Sequence, residues 1–111
     1  MMSEGIDPVI HPINRLRICA ALDAAGATED ERHADREMRF SVLRDLTGLS
    51  DATLSKQLGV LESHGYVRRF REYGSSRAKD VVWVALTGAG GRALRGHLVA
   101  LREIADSVRG D

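Results

Sequence analysis

The sequence predicts a mostly helical α+β domain with about four or five helices and one β-hairpin. Apolar residues recur at steps of three and four over much of the chain, which is typical of amphipathic helices. Two of these helices are separated by a short gap that contains Gly48, the sequence form of a helix-turn-helix. After Gly65 the composition changes to mixed apolar and basic residues and then to a β-branched run, which predicts two strands. A chain of 111 residues suits one domain.

The first helix is predicted from Pro12 to Ala25. Pro12 suits the first turn of a helix, and Gly26 favours its end. Residues 1–11 show no periodicity and are expected to be flexible, so the predicted domain spans residues 12–108. Residues 27–36 are acidic and almost free of large apolar side chains, which fits either a loop or a short solvated helix.

Serines mark the predicted starts of the second and third helices. Ser41 precedes a short apolar pattern that ends at Gly48, and Ser50 precedes a longer one that ends at Gly65. In the third helix Leu54, Leu58 and Leu61 form one apolar stripe. If this stripe faces the core, the opposite face carries small residues, hydroxyl groups and one lysine.

The predicted hairpin consists of a strand that begins at Tyr66, a turn near Gly74 and a strand over residues 81–86. Thr87 is expected to cap a final helix. The order helix, helix, turn, helix, hairpin, helix is that of a winged helix. In that arrangement one helix enters the major groove of duplex DNA and the hairpin, or wing, lies along the adjacent backbone.

The distribution of charge favours double-stranded DNA as a partner. Overall, 16 basic and 16 acidic residues cancel, but residues 64–79 carry five bases against one acid, and residues 23–37 carry six acids against two arginines. Charges on a hairpin also blunt the edge of a sheet, and an exposed helix face can be polar for solubility alone. Five bases are more than the protection of a sheet edge needs, and the arginine guanidinium can donate two parallel hydrogen bonds to phosphate oxygens. The wing residues expected to contact DNA are Arg68, Arg69, Arg71, Arg77 and Lys79. Those expected to contact it from the third helix, the recognition helix, are Ala52, Thr53, Ser55, Lys56 and Val60.

The segment from Phe40 to Val67 resembles bacterial winged helix-turn-helix transcriptional regulators of the MarR-like and ArsR-like type. Their pattern F-x-x-L-x-x-x-T-G-L-S-x-x-x-L-S-x-x-L-x-x-L-E-x-x-G-Y-V and a closing L-T-x-x-G are both present. The matching residues are Phe40, Leu43, Thr47, Gly48, Leu49, Ser50, Leu54, Ser55, Leu58, Leu61, Glu62, Gly65, Tyr66, Val67, Leu86, Thr87 and Gly90. The resemblance, which covers roughly residues 11–105, implies a homodimer that binds operator DNA through the third helix and the wing.

The chain departs from this family pattern at three places. The segment Gly88–Gly91 replaces the usual Pro-Glu after the closing Leu-Thr, and its glycines weaken helix nucleation by roughly 1 kcal/mol each relative to alanine. The wing tip lacks the expected Gly-Arg-x-Pro, which leaves the wing length open. The helix before the turn has no cysteine or histidine, which argues against the metal site of ArsR-type sensors.

The final helix predicts a homodimer. It carries apolar residues at heptad spacing, and a stripe of this length on a terminal helix needs a cover. Packing on the first helix alone would give a monomer; a two-fold interface of the first and last helices would give a dimer that reads an inverted repeat. The predicted interface residues are Ile13, Leu16, Leu94, Leu98, Leu101, Ile104 and Val108.

Other function classes have weak support. The single cysteine, Cys19, excludes an intrachain disulfide, and its apolar neighbours predict a buried side chain rather than a redox sensor. The four histidines lack helical ligand spacing, so no metal or other cofactor is expected. No spacing suggests a catalytic set, so we do not expect an enzyme. The absence of a signal sequence and of an apolar run of about 20 residues predicts a cytoplasmic protein without membrane contact.

The sequence therefore predicts a sequence-specific regulator of transcription that binds double-stranded DNA and most simply acts as a repressor. The alternative is a winged helix used for protein–protein contact without DNA binding. Five bases on the hairpin favour the first, because a protein-contact wing does not need them. The operator, the sign of regulation and any small-molecule effector are not specified by the sequence.

Overall fold

The computed structural model describes residues 5–29, 36–75 and 79–110. Over these ranges the chain forms four helices and a three-stranded sheet, which confirms the predicted mostly helical α+β class. The elements are α1 (Ile13–Ala24), β1 (Met38–Arg39), α2 (Phe40–Thr47), α3 (Asp51–Ser63), β2 (Val67–Glu72), β3 (Val81–Leu86) and α4 (Gly88–Val108). Within the same ranges no helix combines the length and the apolar character needed to cross a membrane.

Helices α2 and α3 form the helix-turn-helix. Gly48 follows α2 with a φ of 70°, a left-handed conformation that glycine adopts without strain and that turns the chain toward α3. The predicted cap at Ser50 is confirmed, since its Oγ accepts a hydrogen bond from the Thr53 backbone N–H at 3.2 Å. The prediction that Ser41 caps α2 is wrong. Helix α2 begins at Phe40 and its N-cap is Arg39, two residues before the predicted cap, because the extended backbone of β1 runs directly into the helix.

The sheet has the strand order β1-β3-β2 and is antiparallel throughout. Strands β2 and β3 pair along their whole length, with Val67 opposite Leu86 and Glu72 opposite Val81, and so form the predicted wing. The short strand β1 pairs with the other edge of β3 and was not predicted. Residues 27–29 are extended beside the end of β3, where the Leu86 N–H donates to the Ala27 carbonyl at 2.8 Å.

Helix α4 begins with the predicted cap. The Thr87 Oγ1 accepts a hydrogen bond from the Gly90 N–H at 3.0 Å and donates to the Gly65 carbonyl at 2.6 Å. These bonds tie the start of α4 to the end of α3. At Gly90 the helix approaches the backbone of the wing closely, because a Cβ there would lie 2.1 Å from the Tyr66 carbonyl oxygen.

One core joins all of these elements. Its apolar side chains come from the helices and from all three described strands, and each fully buried aliphatic one contributes roughly 1.5–3 kcal/mol of transfer free energy. Fully or almost fully buried members are Ile18, Cys19, Leu22, Leu43, Leu54, Leu58, Leu61, Val84, Leu86 and Leu94. The stripe predicted for α3 is thus confirmed as its core face.

The N-terminal segment differs from the expectation of a flexible end over the part that is described, residues 5–11. Ile10 is fully buried. The Asp7 backbone N–H donates to Nδ1 of His97 at 3.0 Å, and the Tyr66 hydroxyl donates to Oδ2 of Asp7 at 2.5 Å. Burial alone would raise the pKa of Asp7, but hydrogen bonds from Tyr66 and two backbone N–H groups hold it below its ordinary value. Its carboxylate and burial raise the pKa of Tyr66 to about 12. Residues 1–4 lie outside the described ranges.

Candidate nucleic-acid interface

The outward face of α3 presents the residues predicted to contact DNA. Ala52, Ser55 and Lys56 are exposed, and Thr53 and Val60 are half-buried. These side chains are short apart from Lys56, so the helix backbone can approach a groove closely. Within the described part of the chain, the Lys56 ammonium makes no hydrogen bond or ion pair. The orientation predicted from the apolar stripe is therefore correct.

Polar groups at the start of α3 are organised by Ser50. Its Oγ accepts from the Thr53 backbone N–H and donates to Thr53 Oγ1 at 3.0 Å, so the threonine hydroxyl keeps its own proton for another acceptor. Asp51 lies in the same turn and would repel phosphate. The Arg44 Nη1 lies 3.1 Å from Asp51 Oδ1 and its Nε 3.3 Å from Asp45 Oδ1, and these bonds raise the pKa of Arg44. Arg44 thereby offsets part of the negative charge.

Two of the predicted wing arginines, Arg68 and Arg69, have close acidic partners within the domain. Arg68 Nε lies 2.7 Å from Glu29 Oε1, and the Arg68 guanidinium lies 5.0 Å from the centre of the Phe70 ring. Arg69 Nη2 lies 2.6 Å from Glu62 Oε1, and its Nη1 donates to Ser55 Oγ at 2.9 Å. The sequence predicts both as phosphate contacts because Glu62 lies in the preceding helix and Glu29 is 39 residues from Arg68.

The tip half of the wing carries the cations with weaker partners. Arg71 Nη1 lies 3.4 Å from Asp80 Oδ2, a long ion pair on an exposed surface. Asp80 also accepts from the Gly74 N–H at 2.9 Å and so shapes the tip. Lys79 is exposed and has no hydrogen bond or ion pair in the ranges described. The predicted contact Arg77 lies outside the described residues.

A groove of about 480 Å³ separates α3 from the wing. Three apolar side chains, two arginines and one serine line it. Its lining residues are Phe40, Ser55, Arg69, Phe70, Arg71 and Val82. The groove therefore brings Ser55 of the recognition helix and Arg71 of the wing to one surface.

Arg39 is a basic residue of this surface that sequence analysis missed. It is exposed in β1, its guanidinium lies 5.4 Å from the centre of the Trp83 ring, and with Lys79 it lines a second groove beside Phe40. A two-residue strand has no periodicity to reveal it. The only local signal is the arginine directly before the motif that begins at Phe40.

The residues predicted for a dimer interface separate into two groups. Leu94 is 1% exposed and belongs to the core, so its assignment to an interface is wrong. The inner face of α4 runs through Gly90, Leu94 and His97, whose spacing of four and three residues also fits the heptad pattern. Leu16 and Leu101 are half-buried, and Leu16 packs against the core.

The other predicted interface residues remain exposed in the monomer. Packing on α1 therefore does not cover the whole apolar stripe of α4. The exposed fractions are 58% for Ile13, 45% for Leu98, 38% for Ile104 and 80% for Val108.

Cys19 has the predicted structural character. It is fully buried, and burial, followed by the nearby Asp7 carboxylate, raises the pKa of its thiol to about 12. A thiol that stays protonated is a poor nucleophile and a poor redox sensor. Over residues 5–29, 36–75 and 79–110, no three His, Cys, Asp or Glu side chains are grouped to hold a metal ion.

Comparisons with known proteins agree with this geometry. Residues 33–105 match the family model of the winged helix DNA-binding domain. The solved structure of a transcriptional regulator homologue protein from Pyrococcus horikoshii OT3 is similar with a TM-score of 0.73 and 21% identity, over 90% of this chain and 87% of that chain. NadR in complex with 4-hydroxyphenylacetate is similar with a TM-score of 0.63 and 18% identity, over 98% of this chain and 71% of that chain. At these identities the two structures show a shared fold. No curated protein matches by sequence.

Proposed function

Because the chain belongs to the winged helix DNA-binding domain family, we propose that it is a regulator of transcription that binds a specific double-stranded DNA sequence. The observation that supports the proposal best is the groove lined by Ser55 of α3 and by Arg69 and Arg71 of the wing. A binding role of this kind requires no catalysis. Occupation of an operator needs only this surface, so we propose repression in the cytoplasm as its mode of action.

Helix α3 is proposed to read bases in the major groove. Lys56 and the hydroxyl of Thr53 supply hydrogen-bond donors, and Ala52 and Val60 supply apolar contacts of the kind that fit a thymine methyl group. Ser55 is engaged by Arg69 and is expected to contribute shape more than hydrogen bonds. Arg71 and Lys79 are proposed to contact phosphates beside the groove, with Arg39 as a further base.

A homodimer completes the proposal. Ile13 of α1 and Leu98, Ile104 and Val108 of α4 are exposed apolar residues that a second copy would cover. Two-fold symmetry would present two copies of α3 to an inverted repeat, with half-site centres about 34 Å apart. Two half-sites acting together raise the affinity of a reader that has few specific side chains.

The wing assignment is tested by the salt dependence of binding to a random duplex, measured by fluorescence anisotropy. Each lost phosphate contact lowers the log–log salt slope by about 0.9. We expect the double variant Arg71→Ala, Lys79→Ala to lower the slope by about 1.8. The exposed Arg102 of α4 provides a matched control, and Arg102→Ala should leave the slope unchanged. Absence of binding by the wild type at low salt would reject the proposal and favour the protein-contact alternative.

Base reading by α3 is tested with Lys56→Ala on the preferred site obtained by selection from random duplexes. Loss of a base contact should cost about 1–3 kcal/mol on that site and relax the preference at one position, with little effect on random DNA. Equal weakening on all sequences would instead make Lys56 a phosphate contact. Measurement of both affinities at one salt concentration separates these results.

A further inference from the structure

We infer that Arg69 is a positioning residue that fixes the wing against the recognition helix, and that it does not serve as a phosphate contact. The inference rests on the proposed function and revises the role expected for Arg69 from the sequence. Arg69 lies in β2, whereas both of its partners, Glu62 and Ser55, lie in α3. We call these three residues the Arg69 bridge.

The geometry of the Arg69 bridge is that of two simultaneous contacts. Arg69 Nη2 lies 2.6 Å from Glu62 Oε1, while Nη1 donates to Ser55 Oγ at 2.9 Å and approaches the Ser55 carbonyl at 3.4 Å. The Arg69 side chain is 25% exposed and the Glu62 side chain 33% exposed. A planar guanidinium held at both Nη atoms has little freedom to turn toward a phosphate.

The two partners lie on the same side of α3. They are separated by seven residues, or two helical turns, and the side chain of a helical glutamate leans toward the helix N-terminus. Glu62 therefore reaches back along α3 toward Ser55. Gly59 lies between them on this side and adds no side chain. One arginine from the wing thus bridges two turns of the recognition helix.

The charges lead to the same assignment. Glu62 neutralises the Arg69 guanidinium within the protein, so binding of Arg69 to DNA would require this ion pair to break. Arg71 and Lys79 carry no comparably short ion pair. The angle between the wing and α3 decides whether the wing and the recognition helix can contact the same duplex at once. A residue that holds this angle affects affinity without releasing counterions of its own.

Glu62→Gln is the decisive variant. It removes a negative charge from the surface proposed to face DNA, so a role of Arg69 as a phosphate contact predicts equal or tighter binding. The positioning role predicts the opposite, a weakening of roughly three- to tenfold, because the wing is released. Tighter or unchanged binding by Glu62→Gln would overturn the inference.

The salt slope supplies a second arm. Arg69→Ala should weaken binding while its slope stays within about 0.3 of the wild-type value, whereas Arg71→Ala should lower the slope by about 0.9. The charge-exchanged variant Arg69→Glu, Glu62→Arg should recover affinity to within about threefold of the wild type, because it restores the ion pair. A fall in the Arg69→Ala slope equal to that of Arg71→Ala would reject the positioning role. Thermal melting of each variant shows that it is folded.

A measurement without DNA separates this inference from the proposed function. In the wild-type protein, NMR relaxation should show that the backbone of Phe70 and Val82 is as rigid as the core strands, and Arg69→Ala should increase nanosecond motion there. If the wild type fails to bind DNA, the proposed function fails while this measurement still tests the Arg69 bridge. Unchanged wing dynamics in Arg69→Ala would overturn the inference even if DNA binding is confirmed.

Discussion

The imidazole of His97 is fully buried on the inner face of α4. Its Nδ1 accepts the backbone N–H of Asp7, so the neutral ring carries its proton on Nε2, which has no hydrogen-bond partner among the described residues. The ring centre of His11 lies 5.3 Å away in an edge-on arrangement. Protonation of Nδ1 would set one N–H against another. His97 therefore holds the N-terminal segment only while it is neutral.

This arrangement predicts a pH-dependent stability. Burial, and then His11, lowers the pKa of His97 below its ordinary value of 6.5, while the Asp7 carboxylate partly opposes the shift. The unfolded chain therefore binds the proton more readily than the folded chain. Stability is retained above pH 6.5 and falls as the pH drops below it, by at most about 1.4 kcal/mol per pH unit for one proton.

Urea unfolding at about pH 7.5 and about pH 5 measures the effect. His97→Leu should lose this pH dependence and, because it also loses the Asp7 hydrogen bond, should be less stable by about 1 kcal/mol at the higher pH. The exposed His64 provides the control, since His64→Gln should keep the wild-type dependence. An equal pH dependence in wild type and His97→Leu would contradict the assignment to His97.

The residues that sequence analysis placed correctly are those governed by near neighbours. The caps at Ser50 and Thr87 and the burial of Cys19 depend on side chains within a few positions. By contrast, Arg68 finds Glu29 and Asp7 finds His97 at separations of 39 and 90 residues. Such pairs depend on the packed fold. The sequence alone therefore predicts more unpaired cations on the wing than the structure has.

At the scale of elements, the glycine-rich start of α4 has a steric cause. From sequence it is only a weak site for helix nucleation. In the fold, Gly90 lies against the Tyr66 carbonyl, and the bare backbone allows α4 to follow the wing immediately. The close approach is accompanied by hydrogen bonds from Thr87 to Tyr66 and Gly65. Glycine at this position lowers the helix propensity of α4, but it leaves the space that the Tyr66 carbonyl occupies.

Gly90→Ala and Gly91→Ala should therefore have different effects. A Cβ at Gly90 would meet backbone at 2.1 Å, and we expect a loss of about 1–3 kcal/mol in the free energy of unfolding. A Cβ at Gly91 would meet only the flexible end of Arg95 at 3.2 Å, so the higher helix propensity of alanine should leave stability unchanged or raise it by up to about 1 kcal/mol. Urea denaturation of both variants checks this, and equal effects would exclude the steric explanation.

Long elements with one clear apolar period could be predicted from the sequence. A very short strand, and a helix whose spacing fits two different faces, could not. The bounds of α1 and α3 follow from apolar stripes, caps and terminal glycines. Strand β1 is too short for a pattern, and its presence moved the start of α2 from the expected cap Ser41. In α4 the same heptad spacing fits a core face and an interface face, and only packing on α1 distinguishes Leu94 from Leu98.

At the scale of the whole molecule, α4 extends beyond the core on which it packs. Its 21 residues span about 31 Å, yet its buried residues end at Ala100. The part that follows carries Ile104 and Val108, and Leu98 is exposed just before it. Such a surface is costly to leave in water, and its apolar residues lie near one face of the helix, which favours a second copy as cover.

The dimer proposal predicts twice the chain mass in solution at micromolar concentration. Leu98→Glu should dissociate the dimer, because association would bury an unpaired carboxylate. Val99 is the matched control: it is 58% exposed on the same helix but lies about 100° around it from Leu98. Val99→Glu should therefore leave the mass unchanged.

The Leu98→Glu monomer should lose most of its affinity for an inverted-repeat operator, while its weak binding to random duplex, which depends on each wing alone, persists. A wild-type chain that sediments as a monomer at these concentrations would refute the two-fold arrangement, and equal effects of the two glutamates would show that the interface lies elsewhere.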